Sequence, residues 1–405
     1  MSDFLPVEEQ LAIIQRGAVE IIPETELKEK LEHSYKTSTP LKIKLGCDPT
    51  RPDLHLGHSV ILRKLRQFQD LGHTAILIIG DFTALIGDPT GQNKTRPALT
   101  HDEIIENGKT YFEQASLILD ADKTEIVYNS DWLGSMSFAD VITLSSNMTV
   151  ARMLERDDFS KRYQNNDPIS LHEFLYPLAQ GQDSVHLKSD VELGGTDQKF
   201  NLLVGRNLQR DAGIDPQIAL MMPLLVGTDG TQKMSKSYDN YIGITEDANN
   251  MYGKVLSITD DLIYTYFELL TDVSIDELPK LKKQAAEDPR NTKHYLAYSL
   301  VRMYHSEKAA KAAREHFEKT VVNKDVPDDI KTYGVDAANI PPLYKLIKQA
   351  GMASSNGEAR RLIEQGGVSL DGEKLTDTHA EITIDDNADM VLKVGKRKFK
   401  KIINK

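Results

Sequence analysis

The chain has 405 residues, 40% hydrophobic and 27% charged, the make-up of a folded protein of two or three domains rather than a disordered one. No apolar run approaches the roughly 18 residues of a membrane-spanning helix, and the single cysteine, Cys47, excludes an internal disulfide and a Cys-rich zinc site. The net charge of −12 argues against a general nucleic-acid binder, and the start MSDFLPVEEQ lacks the pattern of a secretory signal, so the cytoplasm is expected.

Residues 8–34 predict a helical lead-in. IKLGC (43–47) predicts a strand that runs through the Pro-rich turn DPTRPDLHLGH into a helix. That helix spans about Gly57 to Leu71, with Val60, Ile61, Leu65 and Phe68 at helical spacing, and Gly72 stops it. AILIIG (75–80) is a short continuous apolar run, as in a buried parallel strand. TEIVYN (124–129) and ALMMPLLVG (219–227) predict further strands. Strands alternating with helices predict an α/β fold, a doubly wound parallel sheet of Rossmann type, whose ligands bind beyond the carboxyl ends of the strands.

A largely helical stretch over about 100–215 is too long for one crossover and is expected as an insertion, giving a first domain over 1–245. Residues 246–325 carry helical patterns such as LIYTYFELL and predict an all-helical domain, followed by a linker over 326–340. Residues 341–405 predict a small α+β domain: two short helices, then the short strands GVSLDGEKL, EITI and MVLKVG. This last domain carries 12 Lys+Arg against 9 Asp+Glu, a net of +3, while the rest of the chain carries −15. An acidic body with a basic end points to a local polyanion contact; a solvated charged end is the alternative.

Two motifs carry chemistry. His55-Leu56-Gly57-His58 opens a helix after the first predicted strand, where unpaired N–H groups and the dipole favour anions. Its imidazoles can donate hydrogen bonds to phosphate oxygens, and Gly57 lets a base approach the backbone. Lys233-Met234-Ser235-Lys236-Ser237 puts two ammonium groups and two hydroxyls on a polar loop suited to a phosphate that moves during reaction. A chance match to that pentapeptide in a chain of this length is roughly one in 8000.

HLGH followed by KMSKS on a doubly wound sheet resembles the class I aminoacyl-tRNA synthetases. With DPTRPDLHLGH, GDPTG, YPLAQGQD, GGTDQ and SSNGEARRLIEQGGVSLDGEKL, the likeness extends over nearly the whole chain and is closest in kind to the bacterial tyrosyl-tRNA synthetases. The C-terminal pattern resembles a small RNA-binding fold that those enzymes carry at this end. The resemblance implies activation of L-tyrosine by ATP, with Mg²⁺ accompanying the nucleotide, and transfer of tyrosyl from the adenylate to the 3′ adenosine of tRNA(Tyr). It also implies a homodimer. No dedicated metal ligand and no covalent nucleophile are expected.

Residue by residue, the resemblance assigns charge stabilisation to His55, His58, Lys233, Lys236, Ser237 and Thr50. ATP falls to Asp48, Gly57, Gly195, Asp197 and Lys236. Tyrosine falls to Asp88, Tyr176, Gln180, Asp183 and Gln198. Tyr176, Gln180 and Asp183 stand at i, i+4 and i+7, one face of a helix, which is otherwise most often a solvated stripe. By resemblance Tyr176, Gln180 and Asp88 hold the amino group and Asp183 accepts from the phenolic hydroxyl. Arg360, Arg361, Lys396, Arg397, Lys398 and Lys400 are the candidates for tRNA phosphates.

Two positions depart from much of the family. Lys44 stands where a tyrosine shares the substrate hydroxyl, and Glu192 stands where a glutamine is usual. The variants KLGxDPT and GGTDQ mark a bacterial branch that this chain resembles more closely, and hydroxyl recognition there falls to Asp183 with Lys44 as a neighbour. Three rivals share some of these features. A tryptophanyl-tRNA synthetase lacks the YxxxQxxD stripe and the RNA-binding end. A small-molecule adenylyltransferase leaves the C-terminal domains unexplained. A silent RNA-binding relative would not be expected to keep both HLGH and KMSKS.

Overall fold

The computed structural model describes residues 4–49, 53–90, 101–322, 330–336, 340–380, 390–395 and 398–404. The chain divides into two compact units, Met1–Ala310 and Lys311–Lys405.

The first unit is built on a six-stranded sheet of order β1-β6-β5-β2-β3-β4. Helix α1 (Val7–Gln15) ends near Gly17, whose φ of 65° suits a residue without Cβ. Strand β1 (Glu20–Ile22) and helix α2 (Glu24–Thr37) follow. The predicted helical lead-in over 8–34 is therefore interrupted by three residues of strand, which pair antiparallel with β6 at the sheet edge. The parallel core begins with β2 (Lys42–Cys47), α3 (Leu56–Asp70), β3 (Thr74–Ile79), α4 (Thr83–Ile86), α5 (His101–Ala115) and β4 (Thr124–Tyr128). Then come α6 (Ser130–Leu133), α7 (Phe138–Ser146), α8 (Val150–Met153), α9 (Asp157–Gln164), α10 (Leu175–Leu187), β5 (Val191–Gly195), α11 (Lys199–Asp211) and β6 (Ile218–Met222).

Strands β2 to β6 pair parallel. The chain winds outward through β2, β3 and β4, then returns to β5 on the other side of β2. The gap between β2 and β5 is thus a topological switch point, where such sheets bind ligands. Five of the six residues of β3 are buried, as a strand covered on both faces requires. On α3, Leu56, Val60, Leu62, Leu65 and Phe68 are buried, each contributing roughly 1.5–3 kcal/mol, while Ile61 turns half outward. Lys64 of the same helix donates to the carbonyls of Ile13, Ile14 and Arg16 at 2.8–3.1 Å and so caps the end of α1.

The stretch 100–215, expected as a helical insertion, also contains β4 and β5 of the central sheet. VELGG escaped strand prediction because a glutamate and two glycines dilute its apolar signature. That glutamate is buried and paired, as shown below. After β6 the unit continues with α12 (Ala248–Leu256), α13 (Ile263–Leu270), α14 (Leu278–Glu287) and α15 (Pro289–Tyr304). Tyr266 of α13 donates to the carbonyl of Val226 at 2.7 Å, so this helical part packs against the loop that follows β6. Helix α16 (Glu307–Phe317) runs across the division between the units.

The second unit carries a five-stranded sheet of order β7-β11-β10-β8-β9. Its elements are β7 (Thr332–Val335), α17 (Leu343–Gln349), α18 (Asn356–Glu364), β8 (Val368–Leu370), β9 (Glu373–Leu375), β10 (Met390–Val394) and β11 (Lys398–Asn404). Two expectations change here. Part of the predicted linker 326–340 is strand β7, paired parallel with β11. Part of the basic end is β11 itself, the strand between β7 and β10. Phe399 stands between Lys398 and Lys400, and Ile402, after Lys401, is buried, a pattern that charge counting hides. The predicted strand EITI falls outside the described residues. Leu343, Leu346, Ile347, Ala359, Ile363, Leu392 and Ile402 form this unit's core.

Candidate active site

Side chains stand at the carboxyl ends of four neighbouring strands, and those after β2, β3 and β4 are joined by hydrogen bonds. Asp48 follows β2, Thr83 follows β3, Asn129 follows β4, and Gln198 follows β5. Tyr176 of α10 donates its hydroxyl to Asp48 Oδ2 at 2.8 Å, and Thr83 Oγ1 donates to Asp48 Oδ1 at 2.7 Å. Asn129 Nδ2 donates to Thr83 Oγ1 at 3.1 Å and to Asp183 Oδ2 at 3.4 Å. Trp132 Nε1 donates to Asp183 Oδ1 at 2.9 Å. Gly80 makes room for this chain of bonds: a Cβ there would stand 2.1 Å from Asp48 Oδ1.

The stripe on α10 faces inward. Tyr176 is 7% exposed and Asp183 3%, so the solvated alternative does not apply to them. Burial pushes the Asp183 carboxyl up to about 7, against the opposing pull of Lys44 and of its two donors. Lys44 and Glu192, the two departures, face each other as register partners of β2 and β5, with Nζ 3.1 Å from Oε1 and each 1% exposed. Lys44 also donates to the carbonyl of Gln180 at 3.2 Å, and Gln180 Nε2 donates to Glu192 Oε1 at 3.0 Å.

Asp88 sits in a second polar cluster. Its Oδ1 accepts from the backbone N–H and hydroxyl of Thr90 at 2.9 and 2.6 Å and from Arg156 at 3.2 Å. Its Oδ2 accepts from Gln198 Nε2 at 2.9 Å. Arg156, buried to 5% exposure, also pairs with Asp158 at 2.8 Å and donates to Asn201 at 3.2 Å.

The phosphate-binding candidates converge. His55 is the N-cap of α3, its Nδ1 accepting from Gly57 N at 3.1 Å, while His58 Nδ1 accepts from His55 N at 3.2 Å. With both Nδ1 atoms accepting, each ring carries its proton on Nε2 and presents a neutral donor. Burial, then His58 and Lys236, brings His55 down to about 3; burial and Lys236 bring His58 down to about 4. The rings lie 3.9 Å apart. Met234 of the lysine loop lies 3.5 Å from where a Gly57 Cβ would stand, and Lys236 Nζ reaches Asp53 at 2.5 Å. Lys233 Nζ lies 3.8 Å from Asp197 Oδ2. HLGH, KMSKS and GGTDQ therefore lie next to one another, although some 180 residues separate the first two. Gly195 keeps the last of these open, since a Cβ would stand 2.7 Å from Asp197 Oδ1. Ser237 lies in the short helical turn Lys236–Tyr238, its N–H donating to Ser235 Oγ at 3.2 Å.

Thr50 lies outside the described residues, as do Lys396 and Arg397. In the second unit Arg360 stacks over the Tyr344 ring at 4.1 Å, and Arg361 is exposed on the same helix. Lys398 donates to the carbonyl of Met352 at 2.8 Å, and Lys400 lies 5.7 Å from the Tyr333 ring centroid. Sequence reasoning missed Thr83, Asn129, Trp132, Thr90 and Arg156. Thr90 lies inside the recognised turn GDPTG, Thr83 after a predicted strand and Asn129 at the end of one, while Trp132 and Arg156 offered no signal. Cys47 accepts from Tyr111 OH at 3.2 Å, and burial pushes its thiol up to about 12.

A family model described as class I tRNA synthetases (W and Y) matches residues 36–322, and one described as a tyrosine–tRNA ligase SYY-like C-terminal domain matches residues 319–402. The chain is 57% identical over 402 residues to a tyrosine–tRNA ligase of Salinibacter ruber, covering 98% of this chain and 97% of the relative. It is 59% identical over 399 residues to one of Chlorobaculum tepidum, covering 98% of each. The solved tyrosyl-tRNA synthetase of Archaeoglobus fulgidus, complexed with L-tyrosine, matches with a TM-score of 0.62 at 24% identity, over 76% of this chain and 100% of that one; at this identity the likeness concerns the fold alone.

Proposed function

The chain belongs to the class I tRNA synthetases of the tryptophan and tyrosine family, and from that premise we propose how its cleft works. It is a tyrosine–tRNA ligase: its substrates are L-tyrosine, ATP and tRNA(Tyr). The tyrosine carboxylate displaces pyrophosphate from ATP, and an adenosine hydroxyl at the 3′ end of the tRNA then attacks the adenylate carbonyl and releases AMP.

The convergence of the imidazole pair, the lysine loop and Asp197 on one another is the observation that carries the site assignment. The lysine loop neutralises charge on the departing pyrophosphate, and His55 and His58 donate from Nε2 without adding charge of their own. Catalysis is by placement and charge stabilisation, with no covalent step on the protein. Asp197 takes the ribose hydroxyls and Gly195 admits the adenosine. Gln180, Tyr176 and Asp88 take the ammonium, and Asp183 accepts from the phenol. Mg²⁺ accompanies the nucleotide substrate in this reading, held mainly by phosphate oxygens and water. Amino-acid-dependent ATP–pyrophosphate exchange with tyrosine, tryptophan and phenylalanine in turn tests this. Exchange with tyrosine alone is expected, and exchange driven by tryptophan would overturn it.

tRNA binding is assigned to the helical stretch 246–325 and to the C-terminal domain 341–405, through Arg360, Arg361, Lys398, Lys400 and the flanking Lys396 and Arg397. The working place is the cytoplasm, where ATP and tRNA meet. A homodimer is supported by the first unit's exposed Phe138, Ile142, Val150, Tyr163 and Leu171, between 56% and 84% accessible and all within one stretch of chain. Phe138→Asp is expected to shift the sedimenting species from dimer to monomer; a wild-type chain that sediments as a monomer would remove this assignment.

A further inference from the structure

Gln180 is half-buried, and its side-chain amide has two unlike ends, a donor and an acceptor. Nothing in a glutamine chooses which end faces a ligand; its surroundings must. Here the choice is forced. Glu192 Oε1 accepts from Lys44 at 3.1 Å and stands 3.0 Å from the Gln180 amide. An ionised carboxylate only accepts, so the Gln180 atom facing it is Nε2. Oε1 of Gln180 then points away, with no hydrogen-bond partner among the described residues.

The carboxylate is itself immobilised. Its Oε2 accepts from Ser184 Oγ at 3.3 Å and from Gln217 Nε2. Gly205 leaves space for this cluster: a Cβ there would stand 2.6 Å from Ser184 Oγ and 2.8 Å from Gln217 Nε2. Lys44 completes the clamp by donating to the Gln180 backbone carbonyl at 3.2 Å. Main chain and side chain of one residue are thus held by two ends of one buried ion pair, at the switch point of the sheet. A purely structural pair would not need to grip Gln180 twice.

We propose that Lys44 and Glu192 are positioning residues that lock the Gln180 amide with its oxygen toward the substrate, so that the pair selects the ammonium of tyrosine without touching it. This rests on the assignment of the ammonium to Gln180 made above. An amide at position 192 can donate as well as accept, so it would leave Gln180 free to turn over and offer a donor where the ligand brings a cation.

The test compares two ligands by calorimetry on the full chain: tyrosine, and 3-(4-hydroxyphenyl)propanoate, which lacks only the amino group. The variant K44M/E192Q removes both charges together and so leaves neither one buried alone. It is expected to weaken tyrosine at least about tenfold, the scale of one hydrogen bond to a charged group, and to leave the des-amino analogue within about twofold. K44R, which keeps the pair, is expected to retain wild-type tyrosine affinity. Should K44M/E192Q not fold, K44Q/E192Q, which likewise removes both charges and puts an amide at 192, carries the same expectation. Equal loss for both ligands, or loss for neither, overturns the proposal. Q180A separates the two levels: if it too spares only the analogue, Gln180 does bind the ammonium; if it weakens both equally, that assignment fails first.

Discussion

Lys44 on β2 and Glu192 on β5 are register partners, and their side chains meet at 3.1 Å with 1% exposure each. In sequence they are two separate departures, 148 positions apart. In the sheet they are one compensating change. Neither is tolerable alone, because removing one partner of a buried pair leaves an uncompensated charge at a cost of about 3–5 kcal/mol. Single substitutions at either position are therefore expected to lower stability more than the paired substitution does, as a urea-melt cycle of the two single variants and the double would record.

Lys233→Ala and Lys236→Ala should each slow tyrosine activation by about 10²–10³-fold, the scale of losing one charge-stabilising donor, with little change in tyrosine affinity. Single-turnover pyrophosphate release in the ATP- and tyrosine-saturated complex measures this. A rate unchanged at saturation, with only ATP affinity lost, would contradict the assignment.

Asp183 is held up to about 7 by burial, and the role proposed for it, accepting from the phenol, requires the carboxylate form. Below that value it is protonated and a weaker acceptor. The KM for tyrosine is therefore expected to rise as pH falls from about 7.5 to 6, while the KM for ATP stays flat over the same range. Asp183→Ala should remove most of the preference for tyrosine over phenylalanine, which a hydroxyl-binding site of this kind sets at roughly 10⁴–10⁵. Retained discrimination in that variant would rule the assignment out.

His73 accepts from the N–H of Leu41 at 3.3 Å, bonds Gln10 at 3.0 Å, and is lowered by burial to about 4 from 6.5. The native state keeps it neutral where the unfolded chain takes up a proton. Stability is thus full above pH 6.5 and is lost as pH falls from 6.5 toward 4. His73→Gln should flatten that part of the stability–pH curve, measured by urea unfolding at pH 6.5 and 5.

Gly80→Ala places a methyl 2.1 Å from Asp48 Oδ1. The carboxylate must move, breaking its bonds to Tyr176 and Thr83. Expected are a loss of about 1–3 kcal/mol in stability and a fall in activation rate. A crystal structure of the variant with the Asp48–Tyr176 bond intact would refute the reasoning.

Deleting residues 330–405 should spare tyrosine-dependent pyrophosphate exchange but impair tRNA charging, with a shallower salt dependence of tRNA binding. The cut falls before β7, because β7 pairs with β11 and neither is complete without the other. Charging at the wild-type rate would take tRNA binding away from this end of the chain.

Much was legible in the sequence alone. The apolar run of β3 and the buried face of α3 follow from burial on both sides of a sheet and on one side of a helix. HLGH and KMSKS are contiguous, so their chemistry can be named before any fold is known. What the sequence hid is whatever depends on residues far apart in the chain. Strand β5 was concealed because its glutamate looks polar until Lys44 is placed beside it, and β1 and β7 are too short to show a period. Only the tertiary structure decided that the YxxxQxxD stripe faces the core, that the imidazoles are neutral donors, and that Arg156 reaches Asp88. Each of these rests on desolvation and on a partner tens of residues away, and a linear pattern carries neither.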